Sequence, residues 1–472
     1  MIKKLMSIVL SAVIFLSVLS GCQSISEGDK SDNIRYYTVK EQWTIGDGWI
    51  YEYNKQCKYD EDKIEIVEFE STEALKKRLT TELMSGGGPD LMNEATFVSA
   101  DLSIEKLIDM GAFMDLNELI ESDNSDDKIE LTEQNQKALE SGVAGGKRIC
   151  IPLYYVPNFL MTTQEKYSKY LYEKTLSMSF NALIDLYEKI SSESTDKRLY
   201  KYSDSDNLES LLISYIDSNV DLVNKKSTLD STKFKDTVTR IDKLVKKYPR
   251  NTKENQESVI DLTDEIDPDC YIFEDMISQS PYDIYSSIVY TEQRGDTPII
   301  VGTPSGSPDT LSANISESVF VNKNCTKKEK VLKAVKFAMS EETQSNQVGA
   351  EIERYNPMFA AYSGNLFPVN NKAFEKLMNT ADSFKYNTKD SYYEGDDDGI
   401  PDDDKEQAAA SDESKKMLHN ALEIISSYEL DTYLYYNTQV IYELFQSYLK
   451  NEITVDKFIN DLKSKTKIYL EE

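Results

Sequence analysis

"TTELMSGGGPDLMNE", residues 80–94, places three glycines, a proline and an acid directly behind a run of helical character. Glycine backbone can wrap phosphate oxygens, but that chemistry needs the loop to open a helix, with a lysine close behind. Here the order is reversed. Ser71 is positioned to cap a helix whose Leu75, Leu79 and Leu83 recur every fourth residue, and Gly86–Gly88 follow its end. Pro89 keeps the helix stopped, and Asp90-Leu91-Met92 begins a short apolar strand. The stretch therefore reads as helix, turn and strand, with Asp90 as a cap or a brace.

Outward from it, the same rhythm repeats. Tyr36-Tyr37-Thr38-Val39 is β-rich, a helical stretch surrounds "WIYEYNKQC", and Ile64–Phe69 alternates like a strand. Strand–helix–strand–helix–strand is the pattern of a parallel sheet with helices on its faces. "IEKLIDMGAFMDLNELI" (104–120) adds a helix and a glycine stop. "GGKRICIPLYYVPNFLMTTQEKY" (145–167) is a turn followed by an aromatic extended run. Residues 168–295 are mostly helical. Extended structure returns at "TPIIVGTPSG" (297–306) and "ESVFVNKN" (317–324), and Thr326 opens a helix over "KKEKVLKAVKFAMS". No fixed-period repeat is visible.

The chain has 472 residues, enough for two or three domains; 40% are hydrophobic and 29% charged. Its 53 basic and 83 acidic residues give a net charge of −30. No basic patch rises above that background, so nucleic acid is not expected as a partner. The single histidine, His419, rules out multi-His metal sites and lies beside Lys415 and Lys416 in a helical stretch, as a surface residue would.

Met1-Ile2-Lys3-Lys4 is a positive start and Leu5–Leu19 is apolar, too short for a membrane span of ~20 residues. It ends in Leu19-Ser20-Gly21-Cys22, which resembles the bacterial lipobox; that resemblance implies cleavage before Cys22 and attachment of acyl lipid (palmitate among the chains) to its thiol. Residues 23–34 are polar and small, like a tether. The other cysteines, Cys57, Cys150, Cys270 and Cys325, show no CxxC spacing; disulfides and buried free thiols are both open. The acidic stretch 392–413 reads as an exposed loop. Its Asp396, Asp398 and Gly399 match part of a calcium loop, but Glu394 and Lys405 stand where the first Asp and closing Glu belong, so a solvated loop is the expectation and calcium at Asp396 and Asp398 the alternative.

Taken together, the lipobox, "LTTELMSGGGPDLM", "GAFMDLNELI", "RICIPLYYVPNFLMTT", "TPIIVGTPSG", "ESVFVNKNCTKKEKVLKAVKFAMSEETQ" and the tail near "YLEE" resemble the bacterial extracellular solute-binding lipoproteins of sugar-type ABC transporters. The resemblance implies an α/β, two-lobed periplasmic-binding-protein-like fold (type II-like) whose lobes are joined by crossing hinge strands. It implies crossings near Ile151–Pro157 and Thr297–Gly302, with a third after about residue 350. The expected organisation is a signal peptide (1–21), the lipidated Cys22 and tether (22–34), an N-terminal lobe (35–152 plus 298–350) and a C-terminal lobe (153–297 plus 351–472). It further implies a membrane-anchored monomer on the extracytoplasmic face that delivers a carbohydrate to permease subunits, with no cofactor and no catalysis.

Sugar rings are met by flat aromatic faces, and their hydroxyls by carboxylates, amides and hydroxyls. On that grammar the candidates are Trp43, Asp47 and Trp49 around the turn "TIGDG", Glu94 and Thr96 after the Pro-Asp strand, Tyr154, Tyr155 and Asn158 at the first crossing, and Tyr282 and Tyr285 in the second lobe. With 31 tyrosines in the chain, each also has a plain reading as a packed core edge. Two other functions stay open at this point: a sensor or adhesin of the same fold, and a glycan-acting enzyme built on two carboxylates.

Overall fold

A computed structural model describes residues 32–40, 48–100, 102–125, 128–171, 176–193, 198–200, 204–222, 224–247, 271–273, 276–277, 280–305, 310–345, 366–387, 407–430 and 436–471. Cys22, Trp43, Asp47, Cys270, Asp396 and Asp398 lie outside the described residues. Among the described residues, no helix is long and apolar enough to cross a membrane.

The amino-terminal reading holds element by element. Strands β1 (Ile34–Val39), β2 (Ile64–Phe69) and β3 (Leu91–Met92) are mutually parallel, registered through Ile34↔Ile64 and Tyr36↔Leu91. Helix α1 (Gly48–Gln56) connects the first two and α2 (Thr72–Ser85) the second pair. Ser71 caps α2 by accepting from the Ala74 N–H at 3.2 Å, and Gly86 ends it at φ 80°, a left-handed conformation that a side chain resists. Asp90 is a brace: its Oδ2 accepts from the Arg35 backbone N–H (2.9 Å) and from Lys327 Nζ (3.1 Å).

Two sheets organise the rest. β4 (Cys150–Pro157) belongs to the first and β5 (Phe159–Thr163) to the second, with Asn158 alone between them. The second, smaller sheet adds β6 (Ser177–Ser179), β9 (Met276–Ile277) and β10 (Pro298–Ser305) in the order β9-β5-β10-β6. A separate hairpin, β7 (Val220–Asp221) with β8 (Lys226–Ser227), lies between β6 and β9 in the chain. The chain then returns to the large sheet with β11 (Leu311–Val321), β12 (Phe367–Pro368) and β13 (Ile425–Leu430). The large sheet runs β12-β4-β11-β3-β1-β2, with β13 pairing β11 in parallel beyond the end of β3.

Sheet membership differs from the boundaries expected of the sequence. β10 pairs with β5, not with the large sheet, so Thr297–Gly302 lies against the small sheet and is not the crossing expected there. Phe367 and Ile425 sit in the core of the large sheet, and only from Tyr436 onward does the carboxyl-terminal segment join the core of the small one. A strand's apolar pattern reports that it is buried, not which sheet buries it.

Both faces of the large sheet are covered. One carries α1 and α7 (Lys328–Met339), burying Trp49, Ile50, Val331 and Val335; the other carries α2, α3 (Glu94–Ser99) and α4 (Ile104–Asp109), burying Leu75, Leu79, Phe97 and Leu107. The small sheet has its own core with α5 (Phe180–Glu193) and the terminal helix. Its opposite face, through Phe159 and Met161, joins the first core beneath α6 (Pro281–Gln293), α8 (Asn371–Ser383) and α9 (Asp412–Glu423).

Candidate functional site

Strand direction locates the site. β11 runs from Leu311, next to the small sheet, toward Val321; β3 is antiparallel to it and parallel to β1 and β2, so the carboxyl ends of β1, β2 and β3 all point back toward the crossings. In the small sheet, β9 ends at Ile277 opposite Phe159, and β6 runs parallel to β10 toward Ser305, so these ends point to the same place. Open α/β sheets bind ligands outside strand carboxyl ends, where helices begin. Three capped helix starts meet this region: α2 at Ser71, α5 through Ser179 Oγ accepting from the Ala182 N–H (3.2 Å), and α6 at Ser280, whose Oγ accepts from the Asp283 N–H (3.1 Å). The arrangement supplies hydrogen-bond donors and positive helix ends.

Glu94 occupies a break in the large sheet. On one side of β11, β13 pairs up to Ile315↔Leu430 and β3 takes over only at Phe320↔Met92. Between those registers the Ser318 N–H donates to Glu94 Oε2 at 2.8 Å, so a carboxylate stands where a strand would. Thr96 is turned inward: its Oγ1 and its backbone N–H both donate to Asn93 Oδ1 at 2.9 Å, and Tyr36 adds its hydroxyl at 3.0 Å. Cys150 is buried nearby; burial first, then the Glu94 charge, holds its thiol well above the usual range. Cys57, Cys150 and Cys325 are free thiols.

Asn158 sits at the first crossing and ties it to the second. Its N–H donates to the Ser312 carbonyl (2.9 Å), its carbonyl accepts from Thr303 N–H (3.0 Å), and its Nδ2 donates to Ser312 Oγ and Asn314 Oδ1, each at 3.1 Å. Tyr155 is packed: its ring stacks on Phe367 with centroids 5.5 Å apart and meets Tyr428 edge-on at 5.1 Å. Tyr154 is partly buried, and burial, then the Glu317 charge, pushes its hydroxyl up. Trp49 is 4% exposed in the core under α7 and offers no ring face to a solute in this conformation. Tyr285 is buried and donates its hydroxyl to Asp382 Oδ1, while Tyr282 meets the exposed Phe384 ring edge-on at 5.6 Å.

The structure thus puts Asn158 at the crossing, Glu94 against Ser318 farther along β11, Thr96 inward behind β3 and Tyr154 on β4, and sets Trp49, Tyr155 and Tyr285 into packed cores. Sequence reading missed Ser318, Tyr428, Asp382 and His419. The last pairs its Nε2 with Asp382 Oδ2 at 3.0 Å, opposite the Tyr285 hydroxyl. Nothing local marked these four, whose partners lie far along the chain.

Residues 42–345 match the family described as bacterial extracellular solute-binding protein. The chain belongs to that family. Three solved structures share the fold. The sugar-binding protein MalE from the phytopathogen Xanthomonas citri superposes with a TM-score of 0.54 at 12% identity, covering 93% of this chain and 97% of that one. A family 1 extracellular solute-binding protein from Alicyclobacillus acidocaldarius gives 0.50 at 12%, covering 93% and 98%. The GacH receptor of Streptomyces glaucescens, solved unliganded and with acarbose, gives 0.50 at 12%, covering 93% and 99%. At such identity the likeness shows the fold, an α/β chain of two lobes, and the large and small sheets are the centres of those lobes. No curated protein matches the chain.

Proposed function

We propose that the protein is the solute-capturing component of an ABC importer, held on the extracytoplasmic face of the membrane by lipid on Cys22, and that it takes a mono- or oligosaccharide between its lobes without chemical change. The carrying observation is the convergence of strand carboxyl ends and three capped helix starts from both sheets on the crossings, in a chain of the solute-binding family. Amides, hydroxyls and helix ends suit a neutral polyol. The MalE and GacH relatives, named for sugar binding and for an acarbose complex, support the same class. Among the candidate contacts, Trp43 and Asp47 follow β1 in the sequence, Glu94 hydrogen-bonds Ser318 of β11 and Asn158 lies between the two sheets, which supports choosing them. Trp43 is the ring-stacking residue of choice, with Tyr154 and Tyr282 as further aromatic faces.

Isothermal calorimetry of the purified protein against a panel of neutral mono- and oligosaccharides tests this. At least one sugar should bind and be recovered unhydrolysed, and Trp43→Ala should weaken it about ten- to a hundredfold, the worth of ~1–3 kcal/mol of buried apolar surface. Absence of binding across the panel removes the substrate class; equal binding by Trp43→Ala removes only that contact.

A further inference from the structure

We infer that the start of α6 and the end of α8 form a subsite for a second sugar unit, in which Phe384 and Tyr282 cover the ring and Asp283 accepts its hydroxyls, so that the solute is an oligosaccharide. The inference rests on the proposed solute-binding reading and deepens it. β9 places this corner of the molecule. Its last residue, Ile277, pairs with Phe159, which follows Asn158, so the chain leaves the small sheet beside the crossing and enters α6 through Ser280. α8 reaches the same corner by its carboxyl end. The Tyr285 hydroxyl of α6 donates to Asp382 Oδ1 in the last turn of α8. Just beyond that turn, the Phe384 ring stands edge-on to Tyr282, with centroids 5.6 Å apart and planes crossing at 83°.

Phe384 is 51% exposed. Single apolar residues on a surface are common and need no function. Phe384 differs in its surroundings. An edge-to-face pair leaves one ring with both faces clear of its partner, and a flat ring face is what covers the apolar C–H face of a pyranose. Next in the chain to Tyr282 comes a carboxylate already fixed in orientation. Asp283 Oδ2 accepts from the Ser280 hydroxyl at 2.7 Å, while the Asp283 backbone N–H donates to the same Ser280 Oγ at 3.1 Å. This pairing uses one lone pair of an ionised group that accepts through two oxygens, so acceptor capacity remains for hydroxyls. Rings beside a preset acceptor suit a sugar, whose apolar face is rimmed by hydroxyls. The amides of Asn158 and Asn314 at the crossing then serve one unit and the α6–α8 corner the next.

Isothermal calorimetry of the purified full chain tests the subsite, with neutral homo-oligosaccharides of glucose, xylose, mannose and galactose from one to four units long as probes. Affinity of the parent should rise about tenfold or more from the monosaccharide to a longer chain. Phe384→Ala should lose most of that rise and keep monosaccharide binding, with unchanged melting because the ring stands at the surface. Phe384→Tyr, which keeps a flat ring, should retain the rise. Asp283→Asn keeps an oxygen for the Ser280 hydroxyl, so its melting should stay parental while its affinity for the longer chain falls about tenfold. A role confined to capping α6 would leave that affinity unmoved. A parent whose affinity does not rise with length, or a rise that either Phe384→Ala or Asp283→Asn retains in full, overturns the subsite and leaves solute binding standing. A parent that binds none of these sugars overturns the solute reading and the subsite with it.

Discussion

Tyr37 shows how much a single buried polar group does in this protein. Its hydroxyl donates to Glu82 Oε2 at 2.7 Å, pinning α2 to β1, while Arg78 pairs with the same carboxylate at 2.5 Å. Burial, then the Glu82 hydrogen bond and charge, push the hydroxyl up to about 12. The unfolded chain would lose that proton near ~10. Tyr37 thus contributes stability that is complete below pH ~10 and is lost as pH rises toward about 12, because only the unfolded state releases the proton early. Thermal melting followed across that window should fall more gently in Tyr37→Phe than in the parent, whereas at pH 8 the variant should melt lower because Glu82 loses one of its two donors. Such pairings escape a reading of sequence. Tyr37 and Glu82 each look like ordinary members of their own elements, and their meeting depends on how those elements stack.

Elements were far more legible, and the reason is local chemistry. The α2 cap, its leucine stripe and its glycine stop are written within one short stretch, and the structure has Ser71, Leu75, Leu79 and Gly86 in those roles. The three glycines, however, are not equivalent. Gly86 and Gly88 stand at φ 80° and 107°, while Gly87 does not need a left-handed backbone and its nearest neighbour to an added Cβ is 3.7 Å away. Gly86→Ala and Gly88→Ala should each cost about 1–2 kcal/mol in urea denaturation, Gly88→Ala the more because its Cβ would come within 3.3 Å of Asn322 Nδ2 and Leu83 Cδ2. Gly87→Ala should change stability by no more than ~0.5 kcal/mol. What the elements could not reveal was allegiance. Pro298 marks the start of a strand but not its sheet, and the candidate aromatics Trp49, Tyr155 and Tyr285 went to packed cores because an amphipathic pattern describes a buried ring and a binding ring alike.

At the scale of the molecule, Asn158 stands alone between the strands of the two sheets and ties Thr303 of β10 to Ser312 and Asn314 of β11 through one side chain and two backbone hydrogen bonds. Asn158→Ala should lower stability by about 1 kcal/mol, measured by urea denaturation, and should raise hydrogen exchange at the amides of residue 158 and Thr303 while leaving the cores of both lobes protected. The two-lobed architecture was legible from the order of loosely matching stretches along the chain. The path between lobes was not, because it depends on pairing between strands separated by hundreds of positions, which no local window contains.

That long separation has a consequence for how the protein comes into being. β11 is the strand that joins β3 to β4 in the large sheet, yet it is made after the whole segment that builds β5, β6, β9 and β10. While a ribosome is still short of Leu311, β3 and β4 each present an unpaired edge, and apolar residues such as Met92, Ile151 and Leu153 have no permanent cover. The nascent chain is therefore most prone to sticking in mid-synthesis, and rates of maturation will be set by waiting for its centre and not by the helices around it. A chain stopped at Ser305 should aggregate, although every residue of β1 through β10 is present.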